Sequence, residues 1–215
     1  MEAEEQGLIR YRDILQSADP FELAFGRDSY SWFNKIVGDM ANRSGYSVEQ
    51  VAGVVAVLSP MVEWVNCLRT SWAFIKANGT FKNQAGFKRN YEKAKRILLE
   101  NDLSLVSGPK VRPFWQTMID LNHPEPVIDT HMICAYKGIR SYTIDVRKFL
   151  KKDVKEGIVH AVSVLSVEYG WLISRTQGTI WITWKRHTKG FGDQLCLWGN
   201  NGTSDLPNVF KGFPL

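Results

Sequence analysis

The chain has 215 residues, 44% hydrophobic and 23% charged, a composition ordinary for a globular protein and long enough for one substantial core or two small lobes. No apolar run reaches the ~18 residues of a membrane span, and the acidic opening Met1-Glu2-Ala3-Glu4-Glu5-Gln6 has neither the basic nor the apolar region of a signal peptide, which predicts a cytoplasmic protein. Three scattered cysteines, Cys67, Cys134 and Cys196, suit a reduced compartment and are too few for a four-thiolate cluster, while a net charge of +5 favours anionic partners.

In chain order, Trp32, Phe33, Ile36, Val37 and Met40 recur at helical spacing and Gly45 can end that helix. Ser47-Val48-Glu49-Gln50 is a capping-box pattern opening a nearly all-apolar stretch, Val51 to Leu58. Such a stretch is a buried helix or a buried strand, and the capping box with its Ala and Gly content predicts helix. Pro60 breaks the chain, and Trp64, Val65, Leu68, Trp72 and Ile75 form a second apolar face that stops at Asn78-Gly79. Tyr91 to Leu99 reads as a basic amphipathic helix, and Leu103 to Pro113, with Gly108, Pro109 and Pro113, as a tight turn or hairpin.

Asp129 stands just before Thr130–Tyr136 with Gly138 behind, so it is placed to cap a short helix. Ile158, Val162, Leu165 and Tyr169 make another helical stripe ending at Gly170. Ser174-Arg175-Thr176-Gln177 reads as a second capping box ahead of Trp181 and Trp184, and residues 191–215 read as an irregular tail. The expectation is an all-α chain with no repeat and no linker. One helical lobe covers about 45–125, with its hairpin at 103–113; 1–44 and 126–190 make the second.

Positive charge gathers in two segments. Lys82 to Arg112 holds eight basic residues against three acids, and Lys137 to Lys155 seven against two. Either alone suits a solvated helix face; both flanking Asp129 favour a phosphate-binding surface.

Gly108-Pro109-Lys110-Val111 is followed by Ile128-Asp129-Thr130-His131, with Lys110 and Asp129 19 positions apart. This resembles the signature of the helix-hairpin-helix DNA glycosylases, the superfamily of endonuclease III and 8-oxoguanine glycosylase. There a Lys-bearing glycine hairpin precedes a Val-Asp-x-His motif by a similar interval. Val57-Leu58-Ser59-Pro60 with Trp64-Val65-Asn66, and Tyr91-Glu92-Lys93-Ala94-Lys95-Arg96-Ile97, resemble the family's helices upstream, so the likeness covers roughly 48–140. Gln177, Trp181 and Trp184-Lys185-Arg186-His187 are closer to phage-associated relatives, including the thymidine-hypermodification (putrescinyl/glutamyl-thymidine) clade.

The resemblance implies two helical lobes around a DNA-binding cleft and a monomer acting on double-stranded DNA with modified bases, with no membrane partner, cofactor or metal. Its implied chemistry is base flipping and hydrolysis of the N-glycosidic bond, leaving an abasic site. Cleavage builds positive charge on the sugar, and Asp129 supplies the carboxylate that stabilises it and orients water. Lys110 is the Schiff-base nucleophile of bifunctional members, or idle as in monofunctional ones. Gly108 and Arg112 belong to the phosphate-binding hairpin, and Lys185 and Arg186 to a basic end that contacts phosphates.

Met61, Trp64, His131, Gln177 and Trp181 are candidates for wedge or base pocket; each has core packing as its alternative. Two departures stand out: Val106 replaces the hairpin's usual first glycine, and Pro109 removes an N–H donor. Pro113 also moves the expected start of the second helix to about Arg112. His123, His131, Cys134 and His160 follow no usual zinc spacing. The preferred target is a bulky hypermodified pyrimidine such as glucosylated 5-hydroxymethylcytosine, excised in defence against phage. A transferase that modifies an activated thymine with an amine or amino-acid co-substrate is the first alternative. A non-catalytic DNA-binding module on the same fold is the second.

Overall fold

The apolar periodicities become nine α-helices and one 3-10 turn, with no strand, in a computed structural model that describes residues 2–60, 62–80, 88–139 and 151–189. The expected all-α class holds for these residues. The described residues form two compact units, one of 2–30 with 121–139 and 151–189 and one of 31–60, 62–80 and 88–120. Helix α2 (Pro20–Ser44) ends at the expected division at 44/45, whereas the observed division falls within it, its residues through Tyr30 belonging to the first unit.

The second unit is built on α3 (Val48–Leu58), where every residue from Val51 to Leu58 is buried. A helix apolar all round has to be covered on all sides, and α4 (Trp64–Lys76), α5 (Lys88–Glu100) and α6 (Val111–Ile119) pack against it. Its start is the expected capping box: the Ser47 side chain accepts from the Gln50 N–H, and Gln50 Oε1 accepts from the Ser47 N–H, both at 3.1 Å. Gln50 Nε2 also donates to the Leu98 carbonyl at 2.8 Å, tying α3 to α5. Gly53 admits the side chains of Ile97 and Val106; a Cβ there would lie 2.9 Å from Ile97 Cγ2. Burying Ile97 or Leu98 here is worth ~1.5–3 kcal/mol each. α4 stops at Asn78 and Gly79, whose φ values of 46° and 74° turn the chain out of the helix.

In the first unit α1 (Glu2–Gln16) packs on α7 (Thr130–Lys137), α8 (Lys152–Tyr169) and α9 (Ile173–Lys189). Tyr136 enters between two glycines: a Cβ on Gly7 or on Gly157 would each lie 2.1 Å from its ring or hydroxyl. Arg10 donates to the Tyr136 carbonyl at 2.9 Å, in the last turn of α7, and Tyr11 to the Met132 carbonyl at 2.8 Å, so α1 holds α7 at both ends. Gly26 of α2 and Gly178 of α9 meet just as closely, with Gly26 O 2.3 Å from where a Gly178 Cβ would stand. Gly138 and Gly170, at φ 69° and 64°, close α7 and α8 as expected.

One local expectation changes. Ser174-Arg175-Thr176-Gln177 is not a capping box: α9 already starts at Ile173, and the Leu172 carbonyl accepts from the Arg175 and Thr176 N–H groups at 3.0 Å. Ser174 lies inside the first turn and donates instead to the Leu121 carbonyl at 3.0 Å. The real capping box is Asp19-Pro20-Phe21-Glu22, where Asp19 Oδ1 accepts from the Glu22 N–H at 2.8 Å and Glu22 Oε2 from the Asp19 N–H at 2.9 Å.

Candidate functional site

Asp129 takes an extended backbone, φ −105° and ψ −179°, at the N-terminus of α7, and its Oδ1 accepts from the Met132 N–H at 3.0 Å. This is the cap that the sequence predicts. Its second oxygen accepts from the Trp181 indole Nε1–H of α9 at 2.9 Å. The carboxylate is thus gripped from two helices yet only half-buried. Each oxygen keeps a further lone pair, so the group can still accept from a water or face a cation.

Around it, the His131 and Trp181 rings meet edge to face with centroids 5.6 Å apart. The Lys185 ammonium lies 4.1 Å from the centroid of the Trp181 ring. Trp181 is 8% exposed, so its indole is mostly committed to these neighbours. Gln177, one turn earlier, is buried: its Oε1 accepts from the Val127 N–H at 3.0 Å and its Nε2 donates to the Tyr30 hydroxyl at 2.8 Å. Gln177 therefore pins the segment leading into Asp129.

Burial, reinforced by the charge on Asp129, pushes the hydroxyls of Tyr11 and Tyr30 well up, although the Gln177 hydrogen bond works the other way at Tyr30. Both stay neutral, Tyr11 donating to the Met132 carbonyl and Tyr30 accepting from Gln177. The Cys134 thiol is raised by burial and then by Asp129. Asp129 thus lies near groups that burial keeps neutral.

Arg186 turns to its own unit. It reaches Asp19 Oδ2 at 2.5 Å and the buried Glu22 Oε1 at 3.2 Å, closing the capping box of α2. Burial works against the charged form of Asp19, but the Glu22 N–H and the Arg186 guanidinium outweigh it and hold its carboxyl below its ordinary value.

In the second unit, Gly108 has φ 104° and leads into α6 at Val111, one residue before the expected start. Pro113 occupies the third helical position, where its missing N–H leaves no bond unmade. Val106, in place of the expected glycine, is 4% exposed and packs toward Gly53 of α3, so that position serves the core. Lys110 donates to the Ser59 carbonyl at 3.4 Å, and Arg112 is exposed. Trp64 opens α4, its ring edge-on to Phe33 at 4.5 Å. Met61 lies outside the described residues, as do much of the basic segment 137–155 and the tail 191–215.

The structure therefore gathers Asp129, His131, Gln177, Trp181 and Lys185 within one unit, and Gly108, Lys110, Arg112 and Trp64 within the other. Sequence reasoning missed Tyr30 and Tyr11, whose roles come only from packing. It also passed over Asp19-Pro20-Phe21-Glu22, which carries a readable capping signature with Pro at the first helical position. Among the described residues no cluster of three or more His, Cys, Asp or Glu could hold a metal ion, and no single helix is long and apolar enough to cross a membrane.

No curated protein and no solved structure matches the chain. A family match spans residues 4–188, from the start of α1 nearly to the end of α9. The chain belongs to the Family of unknown function (DUF7178).

Proposed function

We propose that the protein is a DNA glycosylase that flips a modified base and hydrolyses its N-glycosidic bond, with Asp129 as the catalytic carboxylate. The observation that carries the reading is the grip on Asp129. A half-exposed carboxylate is held by the Met132 and Trp181 N–H groups, with a cationic Lys185 and the His131 ring on the same indole. A carboxylate fixed in advance stabilises an oxocarbenium-like sugar without reorganising as the bond breaks.

Water is the nucleophile in this reading. Lys110 is engaged at the Ser59 carbonyl, which supports hydrolysis alone and an abasic product over a Schiff-base step. The left-handed Gly108 and exposed Arg112 support a phosphate-binding turn ahead of α6. The substrate class is a bulky hypermodified pyrimidine in phage DNA, with glucosylated 5-hydroxymethylcytosine the preferred member, and the role is defence of the host cell.

The test is incubation with duplex DNAs bearing different base modifications, scoring abasic sites by alkali cleavage, with Asp129→Asn as control. Release of one modified base, abolished by the substitution, supports the reading and names the substrate. Binding without abasic sites on any DNA overturns it, in favour of a base-modifying transferase or a non-catalytic DNA-binding protein.

A further inference from the structure

Two features of the Asp129 surroundings are not explained by a stacking pocket. Trp181 offers little surface to a base, being 8% exposed with Lys185 over its ring. Lys185, expected to contact phosphate, places its ammonium 4.1 Å from an indole whose N–H points at the carboxylate. Trp181 and Lys185 are one turn apart on α9, so the two contacts are built into the same helical face.

From this arrangement we infer that Lys185 and Trp181 form a positioning relay for Asp129. A cation over an aromatic face is drawn to its negative quadrupole and pulls electron density from the ring. In an indole that makes the N–H a stronger donor. Lys185 therefore tightens the Trp181–Asp129 hydrogen bond without touching the carboxylate, and Trp181 with the Met132 N–H fixes the orientation of its two oxygens. Neither residue is a base-stacking platform. The catalytic meaning of the relay rests on the glycosylase reading; the relay itself does not.

That difference shapes the test. Protein carrying 15N-labelled Trp gives an indole N–H signal for Trp181, assigned through its loss in Trp181→Phe. In the free protein, Lys185→Met should move this signal toward weaker hydrogen bonding and speed its exchange with solvent about two- to fivefold, and Lys185→Arg should restore both. An unmoved signal and unchanged exchange in Lys185→Met overturn the relay, whatever the enzyme does.

On duplex DNA containing glucosylated 5-hydroxymethylcytosine, Lys185→Met should lower kcat by a similar factor, about two- to fivefold, with KM and its salt dependence unchanged. A loss confined to KM with a shallower salt slope marks Lys185 as a phosphate contact and overturns the catalytic role. If no DNA is ever cut, the glycosylase reading falls and the indole signal still decides whether the relay exists.

Discussion

Lys110 donates to the carbonyl of Ser59 at 3.4 Å, at the C-terminal end of α3. The last carbonyls of a helix lack intrahelical partners and carry the negative end of its dipole, so a cation there is a structural fastening. It joins the turn before α6 to the central helix of its unit.

Lys110→Met should accordingly cost about 0.5–1 kcal/mol of stability, read from the urea midpoint. If the protein is the proposed glycosylase, base release should persist in the variant. Borohydride should trap no protein–DNA adduct with the wild-type protein. A trapped adduct that disappears with Lys110 would replace hydrolysis by a lyase mechanism.

Arg186 is expected to matter for folding more than for DNA. Its partner Glu22 is 1% exposed, so Arg186→Ala removes the cation from a buried carboxylate, though the partly exposed guanidinium softens the loss to about 2 kcal/mol at neutral pH. The acid limb follows from Asp19, whose carboxyl is held below its ordinary value in the folded chain. That contribution is full above the unfolded value of about 3.9 and fades as pH falls through the lower folded one. The gap between wild type and variant should therefore narrow below about pH 4. Denaturation curves from pH 7 to 2.5 check it; a variant equally stable at pH 7 but weaker on DNA would return Arg186 to the phosphate surface.

Much of this was legible in the sequence where the signal is local. Ser47 and Gln50, Asp129 ahead of Thr130, and the glycines at 45, 138 and 170 act through the few residues beside them, so spacing alone finds them. The Ser174–Gln177 pattern misled because tertiary partners outbid the local ones: the Leu121 carbonyl and the Val127 N–H lie more than 45 positions away in the chain. Trp181 could be placed near Asp129 but not read as its donor, since a tryptophan at helical spacing looks the same whether it packs, stacks or donates. Val106 looked like a defect in a glycine hairpin until α3 supplied the neighbour it packs against.

Two glycines separate steric from conformational need. Gly157→Ala would put a Cβ 2.1 Å from the Tyr136 hydroxyl oxygen, and the ring cannot retreat because Gly7 confines its other side. A loss of about 1–3 kcal/mol is expected. Gly38 lies within α2 with nothing within 4 Å of its Cβ position, so Gly38→Ala should stabilise by about 0.5–1 kcal/mol. Thermal or urea unfolding of the pair decides it, and a neutral Gly157→Ala would mean that Tyr136 packs elsewhere.

Cys67 should be chemically silent in the native protein. Burial pushes its thiol up to about 11, against the opposing pull of Lys110, and its sulfur donates to the Val55 carbonyl at 3.4 Å. Little thiolate exists at pH 8, and what exists is enclosed. Iodoacetamide followed by peptide mass mapping should modify Cys67 only after denaturant is added. Native labelling at a rate near that of a free thiol would show that α4 opens readily.

Gly108 and Arg112 test the phosphate-binding turn from two directions. Gly108 has φ 104° with no atom within 4 Å of its Cβ position, so alanine there meets no clash and is opposed only by backbone strain of about 1–2 kcal/mol. If the turn positions backbone N–H groups on a phosphate, Gly108→Ala should weaken duplex binding about tenfold while leaving the salt slope intact, because no cation is lost. Arg112→Ala should do the reverse: stability within about 0.5 kcal/mol of wild type, and a slope of log Kd against log salt smaller by about one. Fluorescence anisotropy on a labelled duplex across a salt series reads both. Should neither variant change affinity, the turn before α6 would be a core element of its unit, with Val106 as its reason for existing, and the DNA surface would have to be sought on the Asp129 unit alone.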